Sequence, residues 1–440
     1  MSTPQIRIKT ERFRAIASAD IIINGITVVT GENGCGKSTL SKLLYYLYKT
    51  ASNYEALVIE ELRANLRDIE RFLEILVSDL HSISKQRNTR EEFQELRDLQ
   101  KNTEHIDEEQ LEKWKSFIQK IANNYYSQPS LFKENVALNP RLSNRLKFII
   151  RDVLNEKDIS KENDRLPFQR VIEVLEQQYK EAFEKVKSRP TSLFLEALIN
   201  VFSDGDLLKK FEVFEFDDQI VSIDKKSLSI PYAVQNVIYI ETPMMIGMDY
   251  TEIEYWDDLN KILHKKGKAS YSWLSQTISN EIINGEVSLD DNALTSNDFS
   301  FKRSDGSIYN LLDCATGVKS FAILQLLLKS GSLTDKTLLI MDEPESHLHP
   351  QWIIEYARLI VLLNKEIGVK FFIASHNPDM VSAIKYISEK EGIDKDLNFY
   401  LAEKTETPYI YVYNHLFTDI DPIFKSFNVA IDRINQYGIQ

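Results

Sequence analysis

The hydrophobic and polar positions divide the chain into strand-like ends and a long helical middle. Near the start, residues 6–16 and 19–23 mix apolar and polar positions as short strands do, and an Asn-Gly turn separates them from the apolar run 26–30. A continuous apolar run of this length predicts a buried strand. Residues 40–48 are helix-prone and follow closely. The pattern therefore predicts a β-rich start that leads into a helix.

The middle of the chain is rich in charged residues and helix formers and poor in glycine. Its first part contains apolar residues that alternate steps of three and four, the spacing of a coiled-coil seam. These residues are Ile59, Leu62, Leu66, Ile69, Leu73, Leu76, Leu80 and Ile83. Residues 85–89 break the run, and the apolar positions of 93–99 and 111–121 allow a return helix. We expect a coiled-coil-like antiparallel hairpin over 59–121, with its seam packed internally or against another protomer; helices that simply cover the core domain are the alternative.

Strand patterns return after the helical region. Residues 211–216, 219–223 and 236–240 have strand character, and the apolar runs at 337–342 and 369–374 are typical of central parallel strands. The sequence therefore predicts an α/β fold with a β-rich N-terminal part, a mostly parallel core sheet and a large inserted α-helical region.

The change in texture also predicts the domain boundaries. We expect residues 1–50 and 225–440 to form the core domain and residues 51–224 to form the inserted helical domain. Apart from the predicted hairpin, segments 141–153 and 167–186 have helical periodicity.

Composition and charge narrow the possible partners. The net charge of −13 argues against a surface that binds nucleic acid or anionic membrane as a whole. A local basic patch is nevertheless present, and its side chains suit either contact with a phosphate backbone or a solvated helix face. The patch consists of Arg141, Arg145, Lys147 and Arg151. DNA therefore stays a candidate partner.

The two cysteines, Cys35 and Cys314, have neither disulfide-like nor metal-like spacing. No hydrophobic targeting segment or membrane-length apolar run occurs in the sequence. We expect a cytoplasmic protein in a reducing compartment, with no membrane contact.

The strongest motif is Gly31-Glu32-Asn33-Gly34-Cys35-Gly36-Lys37-Ser38, which fits the phosphate-binding pattern G-x-x-x-x-G-K-[ST] between a strand and a helix. Its glycines let successive backbone N–H groups approach phosphate oxygens, and the following helix adds the positive end of its dipole. Lys37 is expected along the β- and γ-phosphates, and the Ser38 hydroxyl is placed to bind Mg²⁺. The nucleotide-binding candidates are Asn33, Gly34, Cys35, Gly36, Lys37, Ser38 and Thr39.

Two further strand ends supply acidic and basic groups. The run 337–342 ends in Asp342-Glu343, and the run 369–374 ends before His376. Parallel strands deliver such residues to one sheet edge, where Asp342 completes the Mg²⁺ shell and Glu343 polarises the attacking water. His376 at the same edge reaches the γ-phosphate. Together with Lys37, these residues predict an ATPase that uses ATP and Mg²⁺, with Glu343, His376 and Lys37 as its catalytic residues.

A second turn of small residues precedes another helix. Ala315, Thr316 and Gly317 open a helix near residue 321 and form another N-terminus suited to anions. On one chain this turn is redundant with the phosphate loop. In a head-to-tail dimer, however, the turn of one protomer could cover the nucleotide bound by the other. The turn therefore predicts a homodimer or a higher homo-oligomer.

This ordered set of motifs resembles the ATP-binding-cassette class of P-loop ATPases, in the soluble branch of SMC, RecF-like and OLD-family proteins. The resemblance implies that Lys37 and Ser38 belong to Walker A, Asp342 and Glu343 to Walker B, residues 346–348 to the D-loop and His376 to the switch histidine. Residues 315–320 look like the signature segment. Ala315 and Thr316 replace the usual serine and glycine there, which implies weak capping and slow turnover. Glu241 and Thr242 occupy the place of the family's Q-loop glutamine.

Residues 342–350, Asp-Glu-Pro-Glu-Ser-His-Leu-His-Pro, resemble bacterial ATPases of anti-phage systems, such as the ATPase subunits of Septu and PARIS and the OLD-type ATPase of Gabija. The resemblance implies a sensor or scaffold that controls a separate effector protein, a nuclease or toxin. The segment after His376 is shorter than a TOPRIM domain needs, and Asp419 and Asp421 lack an upstream glutamate on a strand. We therefore expect no nuclease site in this chain.

Two other functions suit the same motifs. One is an SMC- or RecF-like DNA-repair ATPase, which requires DNA-stimulated hydrolysis. The other is a nucleotide-gated scaffold in which ATP locks the dimer and turnover is negligible.

Overall fold

The structure is a computed structural model, and it describes residues 5–83, 90–101, 106–127, 166–202, 210–222, 226–241, 246, 253–267, 271–289, 299–425 and 437. The chain divides into two compact units, one of residues 1–52 and 190–440 and the other of residues 53–189. The basic patch at 141–151 and Thr242 lie outside the described residues.

The strands belong to the first unit. They are β1 (Ile6–Phe13), β2 (Ile16–Ile23), β3 (Ile26–Gly31), β4 (Lys210–Glu215), β5 (Asp218–Ser222), β6 (Ser227–Leu228), β7 (Asn236–Ile240), β8 (Gly285–Leu289), β9 (Phe299–Arg303), β10 (Ile308–Asn310), β11 (Thr337–Asp342), β12 (Lys370–Ala374), β13 (Leu397–Lys404) and β14 (Tyr411–Phe417).

The helices are divided between the two units. Those of the first unit are α1 (Lys37–Ser52), α6 (Ser192–Phe202), α7 (Glu254–Leu263), α8 (Ser272–Thr277), α9 (Thr316–Lys329), α10 (Pro350–Ile367) and α11 (Pro378–Glu391). Those of the second unit are α2 (Tyr54–Ile83), α3 (Arg90–Lys101), α4 (Glu108–Tyr126) and α5 (Leu166–Ser188). None of these described helices is long and apolar enough to cross a membrane.

Among the described residues, eleven strands form one mixed sheet in the order β6-β5-β4-β1-β2-β14-β13-β3-β12-β11-β7, and β8 to β10 form a small antiparallel sheet. The strands from β13 to β7 pair in parallel, whereas β1 pairs antiparallel with β2 and β4. β11 and β12 are buried along their whole length, as is typical of continuous apolar strands in a parallel sheet. The prediction of an α/β fold with a β-rich start and a mostly parallel core is confirmed.

The first hairpin differs from its expected bounds. β1 ends at Phe13 and β2 begins at Ile16, so the turn lies at residues 14–15 instead of 17–18. Arg12, near the end of β1, and Arg14, in the turn, adopt positive φ of 53° and 52°. Neither is a glycine or an asparagine, so the sequence carries no conventional turn signal at this point.

The boundary between the units lies at Arg189 and not at residue 224. β4 pairs with β1, and β5 pairs with β4, so residues 210–222 extend the sheet of the first unit. These residues belong to the first unit because they pair with a strand that is distant in sequence, and their own composition gives no sign of that pairing.

The helices of the second unit bury the predicted seam internally. Ile59, Leu62, Leu66, Ile69, Leu73, Leu76 and Leu80 are all at most 8% exposed. Phe72 and Val77 of α2 are buried as well, and α2 packs against α3, α4 and α5. The buried stripe is therefore wider than a two-position seam, and the described helices form a small bundle in place of the expected two-helix hairpin over 59–121.

Candidate functional site

Three neighbouring parallel strands bring the main candidate residues to one edge of the sheet. Asp342, at the end of β11, is level with Ala374 of β12, and Ala374 is level with Val29 of β3. The phosphate loop follows β3, Glu343 follows β11 and His376 follows β12. Because these strands run in the same direction, the groups predicted to bind and hydrolyse a nucleotide share one carboxyl edge.

The backbone of the phosphate loop requires glycine at its turns. Gly31, Gly34 and Gly36 have φ values of 150°, 81° and 100°. A Cβ atom on Gly36 would lie 2.9 Å from Cγ1 of Ile16, and one on Gly31 would lie 2.8 Å from Cβ of Ala402. Conformation and close packing thus both exclude side chains at these two positions, and the loop leads directly into α1 at Lys37.

The side chain of Lys37 folds back over its own loop. Its ammonium group donates to the carbonyl oxygens of Gly31 at 2.9 Å and Glu32 at 3.1 Å, and it lies 3.8 Å from the sulfur of Cys35. Only 6% of Lys37 is exposed. A phosphate oxygen could replace these weak neutral acceptors with a charge-assisted partner.

The other loop residues differ in exposure. Asn33, Gly34 and Ser38 are exposed and Thr39 is half-buried, whereas Cys35 is fully buried. The Cys35 carbonyl accepts a hydrogen bond from the Tyr413 hydroxyl at 3.2 Å. Cys35 can therefore contribute only backbone groups to a ligand, while its thiol packs beneath the loop.

Asp342 has the environment of a magnesium ligand. It is 3% exposed, and its Oδ2 accepts a hydrogen bond from the Tyr239 hydroxyl at 3.0 Å. Burial raises the pKa of Asp342, while Ser38 and Tyr239 lower it and the nearby Glu241 raises it further. Oδ1 is buried and has no hydrogen-bond partner among the described residues. A divalent cation shared with the Ser38 hydroxyl would satisfy this oxygen, so the residues fit Mg²⁺.

Glu343 and His376 lie next to each other at the exposed rim of this edge. His376 Nδ1 is 3.2 Å from Oε1 of Glu343, and the two side chains are 46% and 38% exposed. Glu343 has a φ of 51°, which is strained for a residue with a side chain. Its backbone N–H donates to the Ala374 carbonyl at 2.8 Å, and this bond ties the strained turn to β12. A carboxylate held in this way can accept a proton from water at the sheet edge.

Several polar residues around the site were missed by the sequence analysis. Tyr239 appears in the sequence as one position of an apolar strand, yet its hydroxyl contacts Asp342. The Tyr255 ring packs edge-on against the Tyr239 ring with 4.6 Å between centroids, and its hydroxyl donates to Glu241 at 2.5 Å. Glu345 lies inside the acidic motif and is buried, and burial raises its pKa. Only tertiary packing reveals these roles, although the Glu345 carboxylate was visible in the motif.

The turn formed by Ala315, Thr316 and Gly317 follows none of the three strands that form this edge. It begins α9, where Ala315 is exposed and provides no side-chain cap for the helix. A Cβ atom on Gly317 would lie 2.6 Å from the Trp352 ring. Glycine is required here because it lets α9 pack closely against α10. The first N–H groups of α9, which have no side-chain cap, could bind an anion.

The fold and the edge residues define the class of this protein, a P-loop ATPase. Residues 5–381 match the family described as "AAA ATPase domain". Since the match takes in most of the chain, the chain belongs to this family, whose members bind and hydrolyse ATP. A comparison with curated proteins finds no match.

Solved structures of Smc head domains are similar to the chain. One, from Pyrococcus furiosus, is the head domain with an extended coiled coil bound to the C-terminal domain of ScpA; it is 10% identical, with 96% of this chain and 98% of that chain covered and a TM-score of 0.35. Another, from Pyrococcus yayanosii, has a coiled coil and joint; it is 11% identical, with 96% and 99% covered and a TM-score of 0.37. The head domain from Thermotoga maritima is 14% identical, with 48% and 66% covered and a TM-score of 0.29.

Proposed function

We propose that this chain is a slow, Mg²⁺-dependent ATPase that dimerises around its nucleotide and acts as a sensor or scaffold for a separate effector, a nuclease or toxin, in bacterial anti-phage defence. The observation that supports the ATPase part of the proposal is that β3, β11 and β12 end at one sheet edge and lead there to the phosphate loop with Lys37, to Asp342 and Glu343, and to His376. The anti-phage role rests on the resemblance of residues 342–350. No one of these residues indicates an ATPase by itself, but a phosphate loop beside two acidic residues and a histidine at the ends of adjacent parallel strands supports one.

Each residue has a part in hydrolysis. The Lys37 ammonium neutralises charge on the β- and γ-phosphates, and Glu343 accepts the proton of the attacking water. His376, whose Nδ1 lies 3.2 Å from Glu343, is placed to reach the γ-phosphate. Ser38 and Asp342 would hold Mg²⁺, which would supply charge that polarises the phosphoryl oxygens.

The dimer and the slow turnover both depend on the turn at Ala315. In the proposed dimer, the uncapped helix start at Thr316 and Gly317 faces the γ-phosphate of the other copy. Ala315 lacks the hydroxyl that a serine would offer to that phosphate. The turn then contributes backbone donors only, and weaker capping favours slow turnover.

The first experiment compares the steady-state ATP turnover of the wild type with that of Glu343→Gln, together with the mass of each in the presence and absence of ATP. The amide keeps the shape of the side chain but cannot take a proton, so we expect kcat to fall about a hundredfold or more. Both proteins should be dimeric with ATP. Equal turnover in the two proteins would support the nucleotide-gated scaffold, and monomers under all conditions would contradict the dimer.

The effector is tested by copurification of the chain with the product of its neighbouring gene, followed by mass measurement of the complex. The proposal expects a stable complex and no nuclease activity from this chain alone. Hydrolysis that DNA stimulates with a steep salt dependence, and that is lost on charge reversal of Arg141, Arg145 and Arg151, would instead favour the DNA-repair ATPase.

A further inference from the structure

Glu345 is a buried carboxylate three positions beyond Asp342, and neither phosphate nor magnesium binding accounts for it. Only 5% of the residue is exposed, although Glu343, two positions earlier, lies at the solvent-exposed rim. A buried carboxylate is costly unless hydrogen bonds compensate its lost hydration. Its partners therefore indicate what it is for.

Glu345 ties the turn after β12 to the turn after β11. Its Oε1 accepts the Ser375 hydroxyl at 2.7 Å and the backbone N–H of His376 at 3.2 Å. The Ser375 N–H donates to the Val29 carbonyl of β3 at 3.1 Å. The position of His376 relative to the phosphate loop and to Glu343 is thus set by a network in which Glu345 is the central acceptor.

The His376 ring lies between two carboxylates. Its Nδ1 is 3.2 Å from Oε1 of Glu343 and 3.8 Å from Oε1 of Glu345. The second distance is just beyond a hydrogen bond, so a small ring rotation would exchange one acceptor for the other. In addition, Oε2 of Glu345 is buried without a hydrogen-bond partner among the described residues. Glu345 therefore has unused capacity to accept a donor.

Glu343 cannot use the same carboxylate oxygen both as general base and as hydrogen-bond acceptor for His376. As general base, its carboxylate must receive a proton from water, but the oxygen nearest His376 already faces Nδ1. We propose that Glu345 is a positioning residue for ATP hydrolysis: it fixes the Ser375-His376 turn and accepts the Nδ1–H hydrogen bond of His376 when Glu343 turns to the attacking water. The opposite ring nitrogen, Nε2, is then the one that can contact the γ-phosphate of a bound nucleotide.

The inference rests on the proposed ATPase function, and Glu345→Gln tests it in the full chain. The amide keeps the volume and one oxygen acceptor but loses the negative charge that lies 3.8 Å from the imidazole nitrogen. We expect kcat to fall about tenfold or more, because a misplaced catalytic group loses rate steeply, while KM for ATP stays nearly unchanged. In a His376→Ala background, the same substitution should change kcat by less than about twofold, since coupled residues are not additive.

Two further variants separate positioning from general damage. Glu215→Gln is the matched control, since Glu215 is 2% exposed and accepts the backbone N–H groups of Tyr232 at 2.6 Å and Ala233 at 2.8 Å. It should reduce stability but keep kcat. Ser375→Ala removes the hydroxyl that Glu345 accepts and should lower kcat in the same direction as Glu345→Gln, so it stands in if that variant does not fold.

A spectroscopic measurement makes the test independent of turnover. In protein labelled with ¹⁵N-histidine, the His376 ring signals, assigned by their loss in His376→Ala, should show the proton on Nδ1 in the wild type and a changed ring state in Glu345→Gln. Absence of ATP turnover in the wild type would overturn the proposed function, and the ring spectra would still decide the role of Glu345. Unchanged kcat and ring signals, or an equal loss of kcat in the His376→Ala background, would overturn the positioning role.

Discussion

Gly34 and Gly36 both have positive φ, but only Gly36 also lacks space for a side chain. A Cβ on Gly36 meets Cγ1 of Ile16 at 2.9 Å, whereas a Cβ on Gly34 has no atom within 4 Å. At the residue scale, the loop is therefore specified by two separate requirements, backbone conformation and close packing.

This difference gives a matched pair of substitutions. Gly36→Ala should lower the affinity for ATP by about tenfold or more, because the loop must shift to relieve both strain and overlap. Gly34→Ala carries only the backbone strain of about 1–2 kcal/mol and should keep most of the affinity. Calorimetric titration with ATP and Mg²⁺ measures both. Equal losses in the two variants would show that packing against Ile16 does not shape the loop.

The sequence predicted the chemistry of single residues better than their environment. The strand ends correctly placed Asp342, Glu343 and His376 at one edge, because parallel pairing follows from continuous apolar runs. The roles of Tyr239 and Glu345 could not be predicted, since each depends on which groups fold over it. A tyrosine in an apolar run is ambiguous until its hydroxyl has a partner.

At the scale of the elements, α2 shows what a periodic pattern can and cannot define. The seam residues from Ile59 to Leu80 are buried as predicted, but the spacing did not identify Phe72 and Val77. The pattern of α2 does not predict how many helices cover these positions, because an apolar face of this width can pack against one partner helix or three. Residues 210–222 show the same limit, since their membership of the large sheet depends on pairing with β1.

The packing of α2 predicts the effect of Leu73→Ala. Leu73 is fully buried, and removing a leucine side chain from such a site costs about 2–5 kcal/mol. We expect the free energy of opening of α2, measured by hydrogen exchange of its amides, to fall by this amount. Arg67→Ala, at an exposed position of the same helix, should change it by no more than about 0.5 kcal/mol. A similar effect from both substitutions would contradict the internal packing of the seam.

At the scale of the whole molecule, the sheet of the first unit explains how a chain with a large helical insertion keeps one nucleotide site. The phosphate loop and the acidic strand end are far apart in sequence, yet β3, β12 and β11 are hydrogen-bonded neighbours. The insertion enters after α1 and leaves before β4. The order of the three strands is therefore undisturbed, and the edge that carries Lys37 and Asp342 is preserved.

If one chain binds ATP and Mg²⁺ through Lys37 and Asp342, calorimetric titration of the full chain with ATP will measure the contribution of each residue. We expect the wild type to bind with an affinity that rises when Mg²⁺ is present, Lys37→Ala to show no detectable binding, and Asp342→Asn to lose the effect of Mg²⁺. Lys365→Ala, which removes a lysine paired with Glu391 on the surface, is the control and should bind as the wild type does. Unchanged affinity in Lys37→Ala would show that the phosphate loop does not bind ATP.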